Sequence, residues 1–387
     1  MPTLMLPQHD GRLMPFATTA PRTLETALRQ PFNRIAFAAP HVVAQPLASV
    51  DPWGGCALDW DATIAIRRAL WAQGLGVAEA IDAAQRGLGL DWPTSLELIG
   101  HAIEASKDYP DARLFAGCGT DQIGDLPRVT VAEVLEAYEV QAEAIEQRGG
   151  RLIIMASREL ADCARSPDHY GLVYDRLLSQ VREPVIIQWL GELFDPAQSG
   201  YWGCEHLDEA LDVALGVLNR NAARIDGVTL SLPDRATEVA VRARLAPGIR
   251  VYTGDECDFV DRIEGDATGH AEALLGVFDV AAPIACDALA ALAGGDAPAY
   301  RRMLEPVQTL ARHLYSPPAQ HGTTGVVLLA WLNGDQDHFV MVGGQQSARH
   351  LIHLAEVFRL ADAAGLLRDP DLACARMTSL LATQGVS

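Results

Sequence analysis

Lysine is almost absent from this chain of 387 residues: of 30 basic side chains, 29 are arginine and one, Lys107, is lysine. Only one side chain is therefore able to form an imine with a carbonyl substrate. Positive charge is scarce as a whole. Asp and Glu number 50 and leave a formal charge of −20, which repels phosphate surfaces and argues against nucleic acid or an anionic membrane as partner. No run approaches the ~18 consecutive apolar residues of a membrane span. The N-terminus, MPTLMLPQHDGRLMPF, lacks a basic start followed by an apolar stretch, so a cytoplasmic location is expected and secretion is not. Seven cysteines, at 56, 118, 163, 204, 257, 286 and 374, include no CxxC pair. That pattern fits reduced thiols and excludes a disulfide framework or a zinc ribbon. Solenoid repeats, low-complexity tracts and long linkers are absent too.

What is present is a regular alternation. Short β-prone runs lie at 34–39, 75–81, 112–116, 151–155, 184–189, 225–230, 249–253 and 271–277. Amphipathic helical stretches separate them; one, VAEVLEAYEVQAEAIEQRGG, opens on a capping box of Thr130 and Glu133 and stops at Gly149-Gly150. Eight strand–helix units with apolar strands predict an α/β fold, a (β/α)8 TIM barrel, in preference to an open sheet. After Pro283 the pattern is purely helical. The expected organisation is an N-terminal arm at 1–33, a barrel at 34–283 and a C-terminal helical extension at 284–387. The broad apolar faces of VVLLAWL and LIHLAEVFRLADAAGLL predict a homo-oligomer, a homodimer or a dimer of dimers.

Several strings carry a family resemblance. RVYTGDE followed by GVFDVAAP, the strand exit FAGCGT, the strand IDGVTLSLPD and the final FRLADAAGLL resemble the dihydrodipicolinate synthase and N-acetylneuraminate lyase superfamily. The likeness covers about residues 34–387 as spaced motifs. DAAQRGLGLDWP, MASREL, WLGELFDP, SGYWG and HFVMVGGQQSAR look like a bacterial offshoot of it, a domain of unknown function. The resemblance implies the barrel, and it also shows where this chain departs. The superfamily's Schiff-base lysine would fall at Thr229, its proton-relaying tyrosine near Arg158, and its carboxylate-gripping Thr-Thr pair at Ala83-Ala84. Lys107 sits at the end of a helix, hence at the bottom of the barrel, whereas barrel active sites form at the top.

The residues after each strand are the candidates at that top face. His41 follows the first strand as an acid, base or ligand, or as a loop histidine bonded to backbone. The second strand ends in Asp82, Gln85 and Arg86, where a guanidinium would grip a substrate carboxylate or brace the loop against Asp82. Cys118 lies between glycines, with nothing nearby to lower its pKa. Arg158 follows the fourth strand. Gln188, Glu192 and Asp195 follow the fifth, and Tyr201 and Trp202 beyond them stack on a ligand or plug the rim. Thr229, Ser231 and Asp234 belong to the sixth, and Asp255 and Glu256 to the seventh. Carboxylates recurring after so many strands suit a divalent metal or paired acid/base work. The resemblance implies that the tail lies near a neighbouring barrel's face, from where His338 or Arg349 would reach a site, while turn and N-cap chemistry is the alternative for that segment.

Two functions fit these residues. One is a lysine-independent lyase, of aldolase or dehydratase type, acting on a small keto acid or keto sugar through an enolate. Arg86 and Arg158 would hold the anionic or carbonyl group, Asp82 or Asp255 would move protons, and Thr229 with Ser231 would line the floor. His41, Gln85, Gln188 and His338 would complete the substrate contacts. No cofactor beyond a possible divalent metal is implied. The alternative is a non-catalytic pseudoenzyme or small-molecule-binding subunit that kept the barrel and lost the amine.

Overall fold

A computed structural model describes residues 2–21, 31–124, 128–232 and 234–386. An antiparallel hairpin, β1 (Thr3–Pro7) and β2 (Leu13–Ala17), precedes the barrel. The eight barrel strands are β3 (Ala36–Ala38), β4 (Gly76–Glu79), β5 (Leu114–Cys118) and β6 (Arg151–Ile154), then β7 (Val185–Trp189), β8 (Ile225–Leu230), β9 (Arg250–Thr253) and β10 (Glu272–Leu275). All pair in parallel in chain order, and β10 closes on β3 through Ala273–Ala36, Leu274–Phe37 and Leu275–Ala38. Helices on the outside connect them, so the protein is a TIM barrel. Each expected strand is found. The capping box is found too, with Thr130 Oγ1 accepting from Glu133 N at 3.3 Å and Glu133 Oε2 accepting from Thr130 N at 2.8 Å.

The barrel is filled by side chains. Phe37, Phe115, Ile153, Ile186, Tyr252 and Leu274 form its interior cluster. Phe37 meets Phe115 and Tyr252 edge-on, with ring centroids 5.5 and 5.8 Å apart, an arrangement favoured by the ring quadrupoles. The Phe37 ring leaves no room for a side chain on β4 at Gly76, where a Cβ would lie 2.5 Å from it. A large residue on one strand is fitted by the smallest on the next.

The expected segments share one core. Pro283 lies inside a single helix, Phe278–Ala293, because the eighth barrel helix and the tail form one apolar layer. Its cluster joins Leu4 and Leu6 of the hairpin, Ala38, Val77 and Leu275 of the barrel, and Leu304, Leu329, Phe358 and Met377 of the tail. The described part of the expected arm is thus a packed hairpin, with Phe16 edge-on to Phe358 at 6.1 Å and Thr19 N bonded to Asp362 at 3.0 Å; residues 22–30 lie outside the described ones. The same layer buries the apolar faces that prompted the expectation of a second subunit, with Val326, Leu328, Leu354 and Phe358 nearly inaccessible. Those faces are occupied within the chain. Among the described residues no helix is long and apolar enough to cross a membrane.

One buried ion pair ties the first helix to the sheet. Arg67 of helix Trp60–Ala72 forks onto Glu79 at 2.9 and 3.0 Å, both side chains fully buried, and donates to the carbonyls of Pro40 and His41. Arg67→Met should therefore leave Glu79 as an uncompensated buried charge. We expect a loss of about 3–5 kcal/mol in urea unfolding, against no measurable loss for Lys107→Ala at the exposed surface.

Candidate active site

The strand exits surround a cavity of about 100 Å³ at the top of the barrel. Its barrel-side wall carries Asp82, Arg158, Gln188, Thr229 and Ser231 together with Asp195 and Glu256, and the far wall is Tyr315, Gln320 and Thr323 from the tail. The first five of these and Arg86, six of the expected site residues, line one cavity.

Arg158 is the exposed cation of this group. It opens the helix Arg158–Cys163 after β6, and its Nε is bonded to Asp195 Oδ2 at 2.5 Å. Among the described residues its two Nη groups have no partner, and the side chain is 48% exposed. Asp195 thus points the fork and leaves its ends open. Asp82 accepts from Gln188 Nε2 at 2.7 Å. Burial raises its pKa and the charge of Asp195 adds to this, while the Gln188 bond and Arg158 oppose the rise.

Glu256 is the residue that sequence reasoning undervalued beside Asp255. Burial pushes its carboxyl up to about 8. Gly276 N and Val277 N, at the start of helix Phe278–Ala293, both donate to it and oppose the rise, as a helix N-terminus should. Desolvation wins because, among the described residues, no cation compensates it. Gly276 also permits the approach of Tyr315, since a Cβ there would overlap the Tyr315 hydroxyl and lie 3.1 Å from Glu256 Oε1.

The remaining expectations need correction. Asp255 is 1% exposed, away from the cavity, and is held by Arg262 at 2.7 Å, which also binds Glu238 at 2.9 Å. Adjacent residues leaving β9 point to opposite sides, and it is Glu256 that faces the ligand space. Arg86 touches the cavity wall, yet its N–H groups all point elsewhere. They reach Asp121, Gln141 at 3.0 Å and the carbonyls of Ala80 and Gly117 at 3.2 and 2.9 Å. It is a brace, and its carboxylate partner is Asp121, not Asp82. Gln85 adopts φ 67° and donates to Val342 O at 3.0 Å, tying the second loop to the tail. His338 accepts from Val340 N within its own turn and does not line the cavity.

His41 lies in a different place again. Its Nδ1 meets Asp279 Oδ2 at 2.5 Å and its Nε2 meets Gln336 Oε1 at 2.9 Å. It borders a second cavity, about 380 Å³, between helices Trp60–Ala72 and Phe278–Ala293. The polar side chains there include two pairs, His41 with Asp279 and Arg368 with Asp335.

Of the carboxylates expected to converge, Asp82, Asp195 and Glu256 line the cavity and others are engaged elsewhere. Asp121 is taken by Arg86, Asp255 by Arg262, and Asp234 caps helix Arg235–Arg244 at Ala236 N and Thr237 N. Among the described residues no three His, Cys, Asp or Glu side chains are grouped to hold a metal ion. Cys118 is buried with its pKa raised by desolvation. Tyr201 and Trp202 plug the rim against Tyr170, Tyr174 and Trp189. Lys107 is 63% exposed beside Glu104 at the end of helix Trp92–Ser106.

These features define a class: a (β/α)8 barrel with a polar mouth walled on one side by its own C-terminal turn. Solved structures of that shape include dihydrodipicolinate synthase from Aquifex aeolicus, at 11% identity and TM-score 0.61 over 91% of this chain and 98% of that one. Dihydrodipicolinate synthase DapA-2 from Bacillus anthracis matches at 13% identity and TM-score 0.62 over 84% and 98%. YagE, an E. coli K12 prophage protein of the dihydrodipicolinic acid synthase family solved with pyruvate, matches at 12% and 0.61 over 92% and 99%. At such identities the likeness shows the fold. No curated protein matches the sequence. The chain belongs to the family described as Protein of unknown function (DUF993), whose model matches residues 4–386.

Glu256 gives a pH signature. A carboxyl whose folded pKa is about 8 against an ordinary 4.5 binds more protons folded than unfolded between those values. Its contribution is complete below pH 4.5 and is lost as pH rises through about 8. Stability should fall across that window by at most about 1.4 kcal/mol per pH unit. Urea unfolding of Glu256→Gln should show that slope flattened.

Proposed function

We propose that this barrel is a lysine-independent lyase acting on a small keto acid or keto sugar, through an enolate held by Arg158. The observation that carries the reading is one cation with open N–H ends sharing a small cavity with two carboxyl groups in unlike environments. The free Nη groups of Arg158 suit a carboxylate or a carbonyl oxygen, bidentately, and would hold the negative charge that develops on that oxygen. Asp82, hydrogen-bonded by Gln188 and beside Arg158, takes the proton from carbon. Glu256, without a cation, keeps its proton near neutral pH and gives it to the departing oxygen. Two carboxyl groups separated by environment are how one site performs both acid and base steps. Thr229 stands at the position where the resemblance would put an imine lysine, and the sole lysine lies outside the cavity. The enolate therefore forms without a covalent amine adduct.

Loss of that amine also favours the rival, a barrel that binds its ligand without turnover, and one experiment separates the two. With pyruvate in D2O, the lyase reading expects methyl-proton exchange by NMR, slowed at least about 100-fold in Asp82→Asn. Borohydride should leave the intact mass unchanged. Binding without exchange would favour the rival, and a reduced adduct mapped to Lys107 would sink the lysine-free mechanism. Arg158→Met should abolish binding while changing stability by about 0–1 kcal/mol, since its ion pair is half exposed.

A further inference from the structure

The far wall of the mouth is built by residues 315–323, the turn that follows helix Ala297–Leu314 together with the first two residues of helix Gly322–Leu332. It contributes the Tyr315 hydroxyl and the Gln320 amide, neither of which has a hydrogen-bond partner among the described residues, and it has no strand to fix it. Apart from local bonds and one from Thr323 Oγ1 to Ala83 O at 3.4 Å, it is held by one guanidinium from further along the chain. Arg349 Nη2 donates to Leu314 O at 3.1 Å, Ser316 O at 2.7 Å and Pro318 O at 2.9 Å. Its Nη1 reaches Pro317 O at 3.5 Å and its Nε reaches His321 O at 3.4 Å. Five carbonyl oxygens of one turn thus converge on one planar fork. Among the described residues no carboxylate pairs with Arg349, so its charge is met by carbonyl dipoles alone. A surface ion pair would tolerate lysine. A ring of carbonyls spread around a plane requires the five fixed donors of arginine.

We propose that Arg349 is a positioning residue: it locks the 315–323 turn over the barrel, so that Gln320 and the Tyr315 hydroxyl meet the ligand opposite Arg158. This rests on the reading of the mouth as the ligand site. The oxygen-rich, small substrate class inferred above would then be selected from two sides, by a cation on the barrel and by neutral donors on the turn. Gln320 is the specificity contact, and Arg349 acts only through the turn.

The test uses the full-length chain and two readouts. In Arg349→Ala, amide hydrogen exchange across 314–323 should quicken at least about tenfold while the barrel strands keep their protection. Millimolar guanidinium chloride should restore slow exchange by refilling the carbonyl ring, and equal sodium chloride should not. Unchanged exchange in that turn overturns the proposal. With pyruvate as the probe, Kd should rise at least about tenfold in both Arg349→Ala and Gln320→Leu. Guanidinium should rescue the first and not the second. If the wild-type chain binds pyruvate and Arg349→Ala binds it equally well, the positioning role is wrong while the site stands. If the wild-type chain binds no pyruvate, the keto-acid reading fails and the exchange readout still decides on Arg349. Should Arg349→Ala not fold, Arg349→Lys, which keeps the charge without the planar fork, is read the same way.

Discussion

The mouth of this barrel depends on guanidinium forks. A parallel strand that ends under a covering loop leaves backbone carbonyls out of water, and each must find a donor. Here arginines supply them. Arg67 bonds the carbonyls of Pro40 and His41 beyond β3, Arg86 those of Ala80 and Gly117 beyond β4 and within β5, and Arg349 those of the tail turn. Arg67 and Arg86 each also fork onto a carboxylate, Glu79 or Asp121, which offsets the cost of burying the charge. Arg262 does the same work through Asp255 and Glu238. The fork spans several acceptors at once, and an ammonium on a flexible stem does not. A chain with one lysine and many arginines is suited to such a frame.

That frame decides which polar groups remain for a ligand. Once Arg86 and Arg262 are engaged, Arg158 is a half-exposed cation at the mouth, steadied at one nitrogen by Asp195 and, among the described residues, open at the other two. The carboxyls divide in the same way. Asp255 and Glu256 are neighbours in sequence, yet one neutralises a buried guanidinium and the other sits in desolvated space with backbone donors only. Their different chemistry follows from what each faces.

The tail completes the site in the same chain. Its helices share one apolar layer with the hairpin and the barrel, which brings the 315–323 turn over the strand ends. Solved structures of dihydrodipicolinate synthases share the fold at 11–13% identity.

The sequence by itself determined the eight strands, their order, the helices between them and the general position of the mouth. Those properties rest on periodicity, capping and turn chemistry, which act over a few residues, as the Thr130–Glu133 box illustrates. The hairpin was legible in principle, from Leu4 and Leu6 alternating ahead of the Asp10-Gly11 turn. Only the tertiary structure decided which side chains share the cavity. Arg86 finds Asp121 35 residues away, Arg158 finds Asp195 at a separation of 37, and His41 finds Gln336 at 295. Past the end of a strand the alternation that orients side chains stops, so whether Asp255 or Glu256 turns inward depends on loop torsions fixed by such distant partners. Strand periodicity is a local property of the chain; the freedom of a charged group to meet a ligand depends on everything packed around it.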